Sequence, residues 1–198
     1  MRPQLVELLV AIEQQGREND DRESDRVRKM LNLEPDTAKL LNILARSSGA
    51  TRVLEIGTSN GYSTIWLASA VAETGGKIIS IERSAEKQAM ARENLGRAGL
   101  LDRVELRLGD ATAIVRELSG PFDFVFFDAD RISAPEQLRL LLPKLAPQVF
   151  VLSDNVLSHP AEIAGYLAAV ANLESFEHTV VPVGKGLSLA YRGAGRIP

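Results

Sequence analysis

Apolar residues recur along the chain in two rhythms. Near the N-terminus Leu5, Leu8, Leu9 and Ile12 fall three and four apart, the spacing of one face of an amphipathic helix, and Glu7 and Glu13 interrupt the run. From Arg17 to Lys29 acids and bases alternate with almost nothing apolar, which predicts a solvated helix face or a mobile connection. Glu34-Pro35-Asp36 predicts a helix start, and Leu40, Leu41 and Leu44 supply an apolar stripe that Gly49 ends.

Beyond Gly49 short apolar runs alternate with helix-length segments. Strands are expected near 52–56, 77–81, 103–107, 123–127 and 148–153, with helices at 61–74, 84–97, 110–118, 134–144 and 160–172 between and after them. Two final strands, 176–182 and 186–192, are joined by the turn Gly184-Lys185-Gly186. This alternation predicts an α/β fold in one domain spanning 1–198: a helical cap at 1–49, a parallel-sheet core at 50–192 and a fraying tail at 193–198.

Composition narrows the partners more than the fold. A chain of 198 residues, 45% hydrophobic, is long enough for one substantial core. Its net charge of −3 offers no general attraction to nucleic acid or anionic lipid. The absence of cysteine excludes disulfides, a thiolate nucleophile and cysteine-ligated zinc. No apolar run approaches the roughly 18 residues of a membrane-spanning helix, and the N-terminal apolar residues have helical rather than signal-peptide character. The chain is therefore expected to be cytoplasmic.

The most informative stretch is Val53-Leu54-Glu55-Ile56-Gly57-Thr58-Ser59-Asn60-Gly61-Tyr62-Ser63, which joins the first core strand to the following helix. Ligands of open α/β sheets bind at that edge. Gly57 and Gly61 let the backbone turn tightly and approach a cofactor, and Glu55 brings a carboxylate toward a ligand ammonium. Glu82 ends the second strand about 20 residues later, where a carboxylate can take both hydroxyls of a ribose. A dinucleotide fingerprint needs a second glycine where this chain has Ser59, which favours S-adenosylmethionine (SAM), a ligand with no pyrophosphate to seat. Asp110 and Ala111, after the third strand, can meet an adenine amine, although Asp110 is equally a helix N-cap.

Asp128 and the pair Asp154-Asn155 fall at the ends of the fourth and fifth strands, near the same edge. Two carboxylates and an amide oxygen make a hard donor set suited to Mg²⁺, Mn²⁺ or Ca²⁺. Spacing alone leaves open that Asp154 and Asn155 only cap the next helix.

The ordered set of Leu54 to Ser63, Asn94 to Ala111, Phe122 to Asp130, Ser153-Asp154-Asn155-Val156-Leu157 and Pro182-Val183-Gly184 resembles the cation-dependent class I O-methyltransferases, the family of caffeoyl-CoA and catechol O-methyltransferases and their small bacterial relatives. The likeness runs from about Met30 to Arg192. It implies a Rossmann-like class I methyltransferase fold with seven strands, mostly parallel, and an antiparallel last strand. It places Glu55, Gly57, Gly61 and Ser63 at the methionine end of SAM, Glu82 at the ribose, Asp110 and Ala111 at the adenine, and Asp128 between cofactor and metal. The metal ligands it implies are Asp128, Asp154 and Asn155. The reaction implied is direct methyl transfer to a hydroxyl of a small, catechol-like acceptor, with a homodimer formed through the N-terminal helices.

Three departures qualify the resemblance. Where the family usually carries a lysine as base this chain has Arg131, and a guanidinium cannot accept the proton. Arg131 is left to stabilise a phenolate by charge, with water or His159 as base. The tyrosines often found next are absent from Ile132-Ser133-Ala134-Pro135, and Lys185 replaces the acid usual between the last two glycines. Competing readings are methylation of a hydroxylated tRNA uridine, which the acidic balance weakens, an NAD-dependent oxidoreductase, which Ser59 weakens, and a catalytically silent SAM-binding protein. His178, in an expected late strand, is assigned no role, and Trp66, Tyr62 and the Phe122 to Phe127 aromatics are expected to pack rather than form a substrate cage.

Overall fold

The computed structural model describes residues 2–193 and 195; of the tail expected to fray, Ala194 and 196–198 lie outside the described residues. The sheet has seven strands in the order β3-β2-β1-β4-β5-β7-β6. They are β1 (Arg52–Ile56), β2 (Lys77–Glu82), β3 (Val104–Leu108), β4 (Phe122–Phe127), β5 (Leu145–Ser153), β6 (Glu177–Val181) and β7 (Leu187–Arg192). The pairs from β3 through β5 are parallel, and β7 runs antiparallel to both β5 and β6. The antiparallel last strand is as the resemblance implies and the closing turn as the sequence predicts, with Gly186 N–H returning to the Val183 carbonyl at 2.8 Å.

Helices cover both faces because the strands are apolar on both. In β4, Phe124 and Phe126 enter one buried cluster while Val125 and Phe127 enter the other, the two-residue alternation of a strand. The first cluster packs against α1 (Pro3–Arg22), α2 (Pro35–Ser47), α3 (Tyr62–Thr74) and α4 (Ala85–Ala98) through Leu9, Ile12, Leu41, Ile65 and Leu95. The second packs against α5 (Ala111–Glu117), α6 (Ala134–Leu141) and α7 (Pro160–Ala171) through Val115, Leu138, Ile163 and Tyr166. Each fully buried side chain of this size contributes about 1.5–3 kcal/mol. Among the described residues no helix is long and apolar enough to cross a membrane.

Several boundaries differ from those read off the sequence. The charged stretch 17–29 is neither wholly helix nor wholly connection: α1 continues to Arg22 and a 3-10 turn covers Arg26–Arg28. Tertiary hydrogen bonds hold the rest. The Asp20 carboxylate accepts from the backbone of Met30 (2.6 Å) and Leu31 (2.8 Å), and Asn32 donates to the Ile12 carbonyl at 3.2 Å. β5 begins at Leu145 rather than 148, because α6 ends at Leu141 and a 3-10 turn, Leu142–Lys144, leads straight into the strand. Asp110 lies outside α5 as its N-cap, its carboxylate accepting from Ala113 N–H at 2.8 Å.

Candidate active site

Strand order decides where the site forms. From β1 the chain steps outward through β2 and β3, then returns to β4 on the other side of β1, and the carboxyl ends of strands flanking such a reversal form a crevice. Ile56 pairs with Phe127 and Phe127 with Ser153. The next residue of each strand therefore stands in one row: Gly57, Asp128 and Asp154. Asp128 N–H donates to the Ile56 carbonyl (2.8 Å) and Asp154 N–H to the Phe127 carbonyl (3.1 Å), which extends the ladder by one step.

Glycine is required at the first of these positions. Gly57 has φ +108°, and a Cβ there would stand 2.3 Å from the backbone oxygen of Asp128. Gly61, at φ +87°, caps α3 in the left-handed conformation. Between them Ser59 takes φ +47°, an uncommon conformation for a residue with a side chain. Contacts on both sides hold it. Its N–H donates to Glu82 Oε2 at 2.8 Å, and its hydroxyl donates to the Met30 carbonyl at 2.7 Å, tying the N-terminal segment across the loop. Glu82 Oε1 accepts from Ser84 N–H at 2.9 Å, so both its oxygens face the loop junction.

Glu55 lies beneath this loop rather than on its surface. It is fully buried and accepts hydrogen bonds from Ser63 (2.6 Å), Thr64 (2.5 Å) and Ser80 (2.6 Å). Burial pushes its carboxyl up to about 7 despite those three hydroxyls. Ser63, expected beside the cofactor, thus spends its proton on Glu55. Thr58, Thr64 and Ser80, none of them singled out in the sequence, complete this buried network, with 2.6 Å between the Thr58 and Ser80 hydroxyls.

Asp128, Asp130, Arg131, Asp154 and Asn155 line one cleft together with Ile56 and Phe127. Burial and the neighbouring Asp154 hold the Asp128 carboxyl well above the usual range. Burial likewise pushes Asp154 up to about 7, against a backbone hydrogen bond from Asn155. Asp154 Oδ1 is buried without a hydrogen-bond partner among the described residues. Asn155 takes φ +65° and donates its side-chain amide to Asp128 at 3.3 Å. Two close carboxylates, one with an orphaned oxygen, are a hard pair that suits a divalent cation, and the Asn155 amide, which faces Asp128 through its NH2, adds its oxygen as a third donor only when it turns over. Among the described residues no group of three His, Cys, Asp or Glu side chains could hold a metal.

Two ion pairs flank the carboxylates. Arg131, whose side chain is only 13% exposed, meets Glu162 at 2.8 Å. Asp130 sets the turn that carries it, accepting from Ile132 N–H, Ser133 N–H and the Ser133 hydroxyl. Lys185 meets Glu34 at 2.8 Å. Glu34 was legible only as part of a helix start, and its carboxylate caps nothing in α2. Neither histidine lines the cleft: His159 Nδ1 lies 2.8 Å from the Ser158 hydroxyl, and His178 Nε2 lies 2.9 Å from that of Ser188.

The raised carboxyls make a testable stability profile. Glu55, Asp128 and Asp154 bind protons in the folded chain that the unfolded chain has released by about pH 5. Their contribution is fully present below the ordinary carboxyl range and is lost as the pH rises through their raised values, about 7 for Glu55 and Asp154. His178, held low by burial, opposes this with one group. In chelator, Tm is expected to fall between about pH 5 and pH 8, and Mg²⁺ is expected to restore more of it at the higher value. A chelated protein whose Tm rises across that interval would contradict the burial of these groups.

A glycine-turned loop at a strand-order reversal, an acid ending the second strand and an antiparallel seventh strand define a class I methyltransferase fold, which the solved structures bear out. The chain superposes on the O-methyltransferase of Bacillus cereus, solved in complex with SAH, with TM-score 0.79 and 28% identity, covering 94% of this chain and 91% of that one. It matches the Streptomyces achromogenes O-methyltransferase of tomaymycin synthesis, solved with SAM, with TM-score 0.79 and 29% identity, covering 97% and 90%. The O-methyltransferase family model matches residues 14–192. The chain belongs to that family. A catechol O-methyltransferase of Niastella koreensis is 37% identical over 131 residues, 64% of this chain and 59% of that protein, so the match spans under two thirds of the relative's length.

Proposed function

We propose that this protein transfers the methyl group of SAM to a hydroxyl of a small, catechol-like acceptor, assisted by a divalent cation. The observation that carries the reading is the row formed by Gly57, Asp128 and Asp154, which sets a cofactor loop directly beside a carboxylate pair. The SAH and SAM in the two solved relatives support the cofactor, and the name of the Niastella relative supports the acceptor.

In this reading Gly57 and Gly61 give the methionine end of SAM bare backbone to lie against, with Ser63 and Glu55 fixing the loop from below. Glu82 takes the ribose, and Asp110 with Ala111 the adenine. Asp128, Asp154 and Asn155 would hold the cation, which when bound supplies the Lewis acidity that grips neighbouring acceptor oxygens and acidifies the hydroxyl. SAM supplies the reactive methyl, passed in a direct displacement. The protein contributes orientation and charge. Arg131, fixed by Glu162 in the cleft wall, places a permanent positive charge beside the site of the developing phenolate, while the proton leaves to water. Exposed Val6 and Val10 on α1 support a homodimer formed through the N-terminal helices.

The test is methyl transfer to a panel of catechols and hydroxycinnamates, followed by mass spectrometry with Mg²⁺ and then with chelator. Product that appears with Mg²⁺ and vanishes with chelator is expected. Product indifferent to chelator overturns the role given to the cation, and binding of NAD in place of SAM overturns the reading as a whole.

A further inference from the structure

We infer that the ion pair between Glu34 and Lys185 is a positioning device for Asp154 and Asn155, fastening the β6–β7 turn to α2 so that the turn holds the loop after β5. The inference rests on the cation-site reading above.

Lys185 Nζ lies 2.8 Å from Glu34 Oε1, with side-chain exposures of 48% and 28%. Bare backbone makes the fit close. Gly184 has φ +55°, and a Cβ there would stand 2.5 Å from Thr37 Oγ1 and 2.7 Å from Glu34 Oε2. The same turn accepts two hydrogen bonds from the loop, Val156 N–H to the Gly186 carbonyl at 3.1 Å and Leu157 N–H to the Lys185 carbonyl at 3.0 Å. A side chain at Gly186 would strike Leu157 at 2.4 Å, so this contact too depends on glycine. The residues so held directly follow Asn155, whose left-handed φ of +65° needs its neighbours to fix it. The path therefore runs from the Glu34 side chain to Lys185, through the carbonyls of 185 and 186, to the amides of 156 and 157 and so to the two ligands before them.

Charge and position predict opposite signs here, because the Lys185 ammonium is itself a cation and repels a second one brought near it. Removing its positive charge alone would draw a cation in more tightly. Releasing the turn would loosen the ligands.

The experiment uses the full chain without SAM and Mn²⁺ as the probe, with calorimetric affinity and amide hydrogen exchange at Val156 and Leu157 as readouts. Lys185→Met and Glu34→Gln are each expected to weaken Mn²⁺ binding about three- to tenfold, near the lower end of the effect of losing a ligand-orienting contact. Both are expected to speed exchange of the two amides, and the double exchange Glu34→Lys with Lys185→Glu to restore binding and protection. Tighter Mn²⁺ binding by Lys185→Met with unchanged exchange overturns the inference. A parent chain that takes up no Mn²⁺ overturns the cation reading instead. Amide exchange then decides the latch alone, with faster exchange in Lys185→Met supporting it and unchanged exchange overturning it.

Discussion

Asp154→Asn is expected to lower kcat/KM for a catechol acceptor by at least about 100-fold, since even partners that only orient metal ligands are worth 10–100-fold, while SAM affinity stays within about twofold. The same substitution is expected to raise the stability of the cation-free protein. Asp154 is buried beside Asp128 with one oxygen lacking a partner among the described residues, and burial and like charge hold both carboxyls above their usual range. An amide of the same shape removes the repulsion and most of the cost of burying charge. A gain of about 1 kcal/mol would appear as roughly 2–4 °C in Tm for a chain of this size. Steady-state kinetics, SAM titration and thermal melts in chelator read the three quantities. A variant that loses activity and stability together would mark Asp154 as a packing residue, and one that keeps its activity would remove the carboxylate pair from the mechanism.

Gly57→Ala is expected to be the most damaging single-methyl change at the site. The added carbon would stand 2.3 Å from the Asp128 oxygen and 2.7 Å from its carbonyl carbon, at φ +108°. The neighbour is backbone at the end of a central strand and has little room to yield. Left-handed strain and overpacking together cost about 2–5 kcal/mol, or roughly 5–15 °C in Tm. The displaced residue is Asp128 itself, so SAM affinity and cation dependence are expected to fail together. Gly75→Ala is the matched control: φ is +80°, but a Cβ there meets nothing within 4 Å, and a cost of about 1 kcal/mol is expected. Melts within a degree or two of each other would show that the loop and Asp128 are less tightly joined than this geometry requires.

The sequence alone determined the elements and their order, because strand and helix periodicities are local properties of consecutive side chains. Two-sided apolar runs such as Phe122 to Phe127 require helices on both faces, and the glycines at 57 and 61 mark backbone that no other residue tolerates well. From the same pattern Asp128 and Asp154 could be placed at strand ends and assigned to one edge. The pattern alone did not carry their adjacency, which the family resemblance implied and which depends on β4 pairing with β5 in a register that puts Phe127 opposite Ser153. The burial of Glu55 was also hidden. Strand alternation turns it toward α3, but only packing closes Ser63, Thr64 and Ser80 around it. The partners of Arg131 and Lys185 were the least legible of all. Glu162 and Glu34 reach them from distant parts of the chain, and long flexible charged side chains carry no periodic signal of whom they will meet. Local chemistry thus determined which groups were available, and only the tertiary fold, by bringing distant backbone into register and excluding water, decided which would act together.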